Sequence, residues 1–139
     1  MVAANGKKFL QKILEIQILS NKRVLVTGAG GFIGHHLVKR LVYDGYSVRG
    51  ADIKYPEFEQ TAAQEFMQLD LREFPNCLEA TENIDLVYNL AADMGGIGYI
   101  TERLADIARN NILINSHMLE ASRKNGAQKF LFSSSACIY

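Results

Sequence analysis

Apolar residues fall along this chain in short blocks separated by polar turns, and their spacing alternates between two periods. Val24-Leu25-Val26 is a compact apolar run, as in a short strand covered on both faces. After a glycine-rich break, Ile33, Leu37, Val38, Leu41 and Val42 recur at three- and four-residue steps. That spacing predicts a helix, which Gly45 ends. Residues 47–52 read as a second strand, 65–69 as a third, and 84–90 as a nearly all-apolar fourth, with short polar connectors between them. Residues 100–124 carry Leu104, Ile107, Ala108, Asn111, Ile112, Asn115 and Leu119 at helical steps, and Asn125-Gly126 supplies the stop. A final strand is expected over 128–134. Strands alternating with helices, joined by right-handed crossovers, predict an α/β fold with a doubly wound parallel sheet.

Before this pattern, residues 1–21 hold Phe9, Leu10, Ile13, Leu14, Ile16, Ile18 and Leu19, partly in helical spacing. They read as an N-terminal extension, either a helix or a leader that packs loosely. Gln11, Lys12, Glu15 and Gln17 interrupt the run, so it cannot span a bilayer, and it lacks a small-residue cleavage site. Residues 22–139 then form one domain or part of one. With 15 basic and 15 acidic residues scattered singly, the chain has no electrostatic footprint for nucleic acid or an anionic membrane. Cys77 and Cys137 are far apart and no histidine cluster accompanies them, which predicts neither a disulfide framework nor a metal site. A reducing, cytoplasmic setting is the default expectation. His35, His36 and His117 have no convergent partners in sequence and are expected at the surface.

The segment directly after the first strand is Thr27-Gly28-Ala29-Gly30-Gly31-Phe32-Ile33-Gly34. A strand, a glycine turn and a helix in succession let backbone N–H groups approach a pyrophosphate at the positive end of the helix. Gly28, Gly30, Gly31, Phe32, Ile33 and Gly34 are therefore candidate cofactor-binding residues of a Rossmann-type domain. The spacing departs from Gly-x-Gly-x-x-Gly, since Ile33 occupies the third place, and no Gly-Lys-Ser/Thr follows. The second strand ends at Asp52, where a carboxylate can accept hydrogen bonds from ribose hydroxyls and repel a 2′-phosphate. This favours NAD over NADP, although Arg49 and Lys54 flank it and argue the other way. Asp70 and Leu71 are placed near an adenine edge, or else serve simple turn chemistry. Leu90, Ala91 and Ala92 at the end of the fourth strand leave space beside a dinucleotide backbone. The loop Asp93-Met94-Gly95-Gly96-Ile97-Gly98-Tyr99 is either approached by ligand or an unliganded crossover. Last, Ser133-Ser134-Ser135-Ala136-Cys137-Ile138-Tyr139 places hydroxyls and a thiol at the end of the fifth strand.

Taken in order, Thr27-Gly28-x-x-Gly31-x-x-Gly34, Asp52, Asp70-Leu71, Asn89-Leu90-Ala91-Ala92 and Ser134-Ser135-Ala136 resemble the extended short-chain dehydrogenase/reductase family of NAD-dependent epimerases and dehydratases. The likeness runs from Arg23 to Tyr139. Residues 91–99 and 134–139 are most similar to the branch that acts on a GDP-mannose-like nucleotide sugar, oxidising C4 with NAD and inverting C3 and C5. The resemblance implies Cys137 as an acid/base, Ser135 as the hydroxyl on the C4 oxygen, and Gly95 as a substrate contact together with Ser135 and Cys137. It further implies a homodimeric parent enzyme and a part for Asn111 in a backbone polar network. An inert buried thiol is the other reading of Cys137, and Cys77 is expected to be structural.

The family's tyrosine with a lysine four residues later is not found: Tyr43, Tyr46, Tyr55, Tyr88 and Tyr99 are followed at that distance by Ser47, Gly50, Glu59, Ala92 and Arg103. The catalytic pair and the substrate domain are expected further along a longer protein, which predicts an inactive fragment whose sheet, cut at a fifth strand, self-associates through an apolar edge. Two other readings stay open, a sugar-nucleotide 4-epimerase or 4,6-dehydratase, and a non-catalytic NAD-binding module.

Overall fold

The computed structural model describes residues 22–57 and 59–134, so the expected N-terminal extension lies outside the described residues. In chain order the elements are β1 (Arg23–Thr27), α1 (Phe32–Tyr43), β2 (Ser47–Asp52), β3 (Glu65–Gln68), α2 (Phe74–Ala80), β4 (Leu86–Asn89), α3 (Ile97–Glu102), α4 (Leu104–Lys124) and β5 (Lys129–Phe132). The five strands pair in parallel in the order β3-β2-β1-β4-β5. The chain first runs outward from β1 to β3 and then returns to the other side of β1. A crevice therefore opens beyond the C-terminal ends of β1 and β4, where such sheets bind ligands.

Strand periodicity sorts the core onto the two faces of the sheet. Val24 and Val26 of β1 join Val38 and Leu41 of α1 and Val48 of β2 in one cluster. Leu25, between them, turns to the other face with Ala51, Val87 and the helix residues Cys77, Ala80, Ile114, Met118 and Ala121. Both faces are covered, which is why β1 reads as an unbroken apolar run rather than an alternating one. Helix α1 ends at Asp44 with Gly45 at φ 94°, and α4 ends at Asn125 with Gly126 at φ 76°. At both places glycine takes the left-handed conformation that closes a helix.

Several expectations change in detail. The third and fourth strands are shorter than the apolar runs that signalled them, covering Glu65–Gln68 and Leu86–Asn89, and the fifth is Lys129–Phe132. The single helix expected over 100–124 is two helices, broken at Arg103 with φ −127° and ψ 29°. Helix α2, expected as a connector, is only seven residues long with proline in its first turn, too short to display a period. His35 is buried rather than superficial, at 1% exposure, because helical spacing puts it beside Val38 under the β2–β3 connection. There its Nε2 donates to Glu59 Oε1 at 3.0 Å. Lys39 adds a 2.7 Å contact to the same oxygen.

This contact generates a pH prediction. Hydrogen bonds from Lys39 and then His35 pull the Glu59 carboxyl from about 4.5 down to about 2. A depressed folded-state value contributes stability above the unfolded pKa, and that contribution is lost as the pH falls through the folded one. Acid unfolding between about pH 4.5 and pH 2 should include this loss. Glu59→Gln should flatten that part of a stability-versus-pH curve measured by urea denaturation; an unchanged slope would contradict the pairing.

Candidate functional site

The first βα turn is held by close backbone approaches, and its glycines have different reasons to be glycine. Gly28 sits at φ 67°, and a Cβ there would stand 2.9 Å from the Leu90 carbonyl carbon and 3.0 Å from the Ala91 nitrogen. A Cβ on Gly34 would collide with the Gly28 carbonyl oxygen, and one on Gly30 with the Lys54 carbonyl oxygen. These three positions are demanded by the chain's own packing. Gly31 differs: its φ of −83° and ψ of 170° suit any residue, and an added Cβ would meet only Gly28 O at 3.3 Å. Gly31 is also the N-cap of α1 without a side-chain cap, and it lines the cleft. The least crowded glycine of the turn, at the start of an uncapped twelve-residue helix and on the cleft lining, fits a phosphate group approaching the backbone here.

Asp52 closes the second side of the turn. Its Oδ2 accepts from the Gly30 N–H at 2.9 Å and its Oδ1 from the Lys54 N–H at 3.2 Å, so the carboxylate both shapes the glycine turn and faces the cleft. Arg49, which flanks Asp52 in sequence, is committed elsewhere. It is buried, donates to Glu65 at 2.7 Å, and caps the end of α2 through Ala80 O at 2.9 Å and Glu82 O at 3.0 Å. Lys54 remains on the cleft wall, paired to Glu57 at 2.7 Å. The sequence argument for a 2′-phosphate partner therefore loses Arg49. Asp70 is gripped by Arg72, whose Nη2 donates to Oδ2 at 2.6 Å and Nε to Oδ1 at 2.9 Å. This holds the Asp70 carboxyl below its usual range.

A polar ladder ties the floor of the crevice to α4. Thr27 Oγ1 donates to Asn89 Oδ1 at 2.8 Å and accepts the N–H groups of Leu90 and Ala91, each at 3.1 Å, which uses the full capacity of a hydroxyl. Asn89 Nδ2 passes on to Asn115 Oδ1 at 2.8 Å. One turn earlier on the same helix face, Asn111 exchanges two bonds with the Asp93 backbone, at 2.7 Å and 3.1 Å. The expected polar role of Asn111 is thus visible as a clamp on the strand exit.

These elements enclose a cleft of about 510 Å³ at the end of the sheet, a size suited to small-molecule binding. It brings together Gly28, Gly31, Asp52, Asp70, Leu71, Leu90, Ala91 and Ala92. Leu71 contributes mainly to the core, at 3% exposure. Gly30 and Gly34 act behind the cleft as packing positions, and the Phe32 and Ile33 side chains face solvent. Gly95 is off the lining, although Met94 and Tyr99 beside it are on it. Ser135 and Cys137 lie outside the described residues. The sequence reading missed Arg72, Arg103 and Asn110 as lining residues. An Asn-Asn pair at 110–111 on a helix face was the available signal for one of them. Among the described residues no cluster of His, Cys, Asp or Glu is placed to hold a metal, and no helix is long and apolar enough to cross a membrane.

Cys77 is fully buried, with its Sγ 3.1 Å from the Leu71 carbonyl oxygen. Burial, aided by Asp70, pushes its thiol up to about 12. The native protein should therefore leave Cys77 unmodified by iodoacetamide at neutral pH while denatured protein reacts; labelling in the native state, read by peptide mass, would contradict this placement. The glycines supply a second test. Gly34→Ala should cost about 2 kcal/mol or more of stability, as overpacking does. Gly31→Ala should cost no more than about 1 kcal/mol and yet weaken dinucleotide binding at least about tenfold. Equal stability losses from the two, read by thermal denaturation and calorimetric titration, would overturn the distinction.

Comparison with known proteins agrees with this geometry. A sequence profile described as the NAD dependent epimerase/dehydratase family matches residues 24–139. GDP-mannose 3,5-epimerase of Arabidopsis thaliana is 46% identical over 121 residues, covering 86% of this chain and 32% of that protein. The chain thus spans about a third of the length of the curated relatives it matches. Among solved structures, an epimerase from Methanothermobacter thermautotrophicus superposes with a TM-score of 0.77 at 26% identity, over 93% of this chain and 40% of that one. UDP-glucose-4-epimerase from Stenotrophomonas maltophila, solved with bound NAD and formylated UDP-arabinopyranose, gives 0.72 at 28% identity over 86% of this chain and 38% of that one. With the glycine turn, the acidic end of β2 and the parallel sheet all in place, the chain belongs to the NAD dependent epimerase/dehydratase family.

Proposed function

We propose that this chain is the NAD-binding portion of a GDP-mannose 3,5-epimerase. The observation that carries this reading is the 46% identity to the Arabidopsis enzyme across 86% of the chain. The relatives run to about three times this length, so turnover is proposed for the whole protein, as are a homodimeric assembly and a cytoplasmic location. In this reading residues 22–139 hold the dinucleotide, with Gly31 and the start of α1 at its diphosphate and Asp52 and Asp70 on its adenosine side. NAD, when bound, supplies a hydride acceptor for the sugar C4 and later returns the hydride.

Of the two acid/base groups that inversion needs, this chain supplies Cys137. Once C4 is a ketone, the hydrogens at C3 and C5 are acidic. The Cys137 thiolate removes a proton from such a carbon, and a second acid on the opposite ring face returns one, inverting the centre. A free cysteine thiol has a pKa of about 8.5, so positive charge nearby suffices to ready it at neutral pH. Ser135 donates a hydrogen bond to the C4 oxygen, and Gly95 belongs to the segment on the sugar's side, just behind the cleft lining. A sugar-nucleotide 4-epimerase or 4,6-dehydratase is the second reading, supported by the 28% identity to UDP-glucose-4-epimerase. In that case Cys137 is incidental.

Two measurements separate these readings. The full-length protein with bound NAD and GDP-mannose in deuterated water should incorporate deuterium at C3 and C5, and Cys137→Ala should abolish that exchange while leaving C4 oxidation detectable as NADH. Turnover of a UDP-sugar without exchange at C3 and C5 would replace the leading reading with the second. NAD should also bind at least about tenfold more tightly than NADP. Asp52→Asn should narrow that ratio; tighter NADP binding by the unaltered protein would contradict the role given to Asp52.

A further inference from the structure

The segment after β4 holds Gly95 and Gly96 before α3 and Gly98 in its first turn, and only Gly95 is packed. A Cβ on Gly95 would stand 2.6 Å from Cδ1 and 2.8 Å from Cγ of the Tyr99 ring, whereas Gly96 and Gly98 have open space around them. Tyr99 therefore lies directly on Gly95. Its hydroxyl donates to Asp93 Oδ1 at 3.0 Å, and Asp93 Oδ2 accepts from the buried Asn110 Nδ2 at 2.7 Å. The Asp93 main chain is fixed by Asn111, whose Oδ1 accepts from the Asp93 N–H and whose Nδ2 donates to the Asp93 carbonyl. The Arg103 guanidinium carbon lies over the Tyr99 ring at 5.3 Å from its centroid. The segment from Asp93 to Tyr99 is thus closed on itself at both ends, and Asp93, Met94, Tyr99 and Arg103 all line the cleft.

The lateral order of strands says which part of the cleft this is. Asp52 and Asp70 follow β2 and β3, on one flank of β1. The 93–99 loop follows β4 on the other flank, beside β5, whose exit is tied to β4 by the Ser133 N–H to Asn89 O bond at 3.3 Å. The chain from Ser133 leads to Ser135 and Cys137. The segment thus stands on the β4–β5 side of the cleft, across from the ends of β2 and β3.

We propose that Asp93, Gly95 and Tyr99 form a latch that shapes the substrate-side wall of the cleft, with Asp93 as a positioning residue and Tyr99 as a specificity-determining one. Gly95 in this assignment serves substrate binding indirectly: its missing side chain lets the Tyr99 ring seat. The substrate side of the inference rests on the nucleotide-sugar reading given above; the latch itself does not. Asn110 holds Asp93 ionised by lowering its carboxyl below the usual range, and Asp93 in turn raises the Tyr99 phenol.

The test uses Tyr99→Phe, Asp93→Asn and Gly95→Ala in the full-length protein. Tyr99→Phe removes one hydroxyl from a partly exposed ring, so it stays informative if Asp93→Asn folds poorly. Loss of one such hydrogen bond should raise KM for the nucleotide sugar about fivefold, with kcat and the NAD dissociation constant each changed less than about twofold. Amide hydrogens of residues 94–98 should exchange at least about tenfold faster in Tyr99→Phe and Asp93→Asn. With carbon-13-labelled tyrosine, the Tyr99 phenol should titrate lower in Asp93→Asn than in the unaltered protein. The exchange and titration measurements need no substrate, so they stand if GDP-mannose proves to be the wrong sugar nucleotide, an outcome read from the unaltered protein alone. Unchanged loop exchange, or NAD affinity falling in step with KM, would overturn the latch.

Discussion

At the floor of the cleft, backbone meets backbone with no side chain between. The Gly28 carbonyl packs where a Gly34 side chain would be, and the Gly28 α-carbon packs against the Leu90–Ala91 peptide. Those two approaches fix α1, β1 and the exit of β4 relative to one another within the reach of a single ligand. The direction of α1, the position of Gly31 at its start and the opening between β1 and β4 all follow. Gly31 is the least crowded glycine of the turn, a Cβ there meeting only Gly28 O at 3.3 Å, and it stands at the start of α1 on the cleft lining.

A second layer of constraint is polar and runs from β1 to α4. A threonine hydroxyl at the end of β1 serves three partners at once and reaches Asn115 of α4 through Asn89, and one turn earlier on α4 Asn111 and Asn110 separately hold Asp93. Buried polar groups left unpaired here would cost more than the pairs gain, so the ladder specifies one arrangement of the strand exit. The acidic flank is built differently. Asp52 is held by backbone N–H groups of the turn it helps shape, and Asp70 by a forked arginine. Both carboxylates reach the cleft already oriented, before any ligand arrives.

How much of this was legible in the sequence depends on whether the signal was local. Val24-Leu25-Val26, with glycines directly after, announced a doubly covered strand and a phosphate turn, because strand period and turn chemistry are written in neighbouring residues. Gly45 and Asn125-Gly126 marked helix ends for the same reason. Helix α2 went unseen because seven residues beginning with Phe74-Pro75 cannot establish a period. His35 looked superficial because its partner, Glu59, comes from a distant loop. Arg49 looked like a neighbour of Asp52, but its side chain runs to the end of α2 instead. The break at Arg103 was hidden by apolar spacing that continues across it. Tyr99 is legible in the sequence as part of a glycine-rich loop open to ligand, whereas its place on Gly95 is a matter of close packing that no spacing rule records.

In the function proposed above, the glycine turn, Asp52, Asp70 and the exit of β4 form one dinucleotide cradle at a single end of the sheet. Titration of nitrogen-15-labelled protein with NAD, followed amide by amide in heteronuclear NMR spectra, tests it most directly. The expected result is that Gly30, Gly31, Phe32, Asp52, Asp70, Ala91 and Ala92 shift together along one binding curve while Arg23, Ser47, Glu65 and Ile84, at the opposite end, stay in place. Shifts centred on that opposite end, or none at the glycine turn, would contradict it.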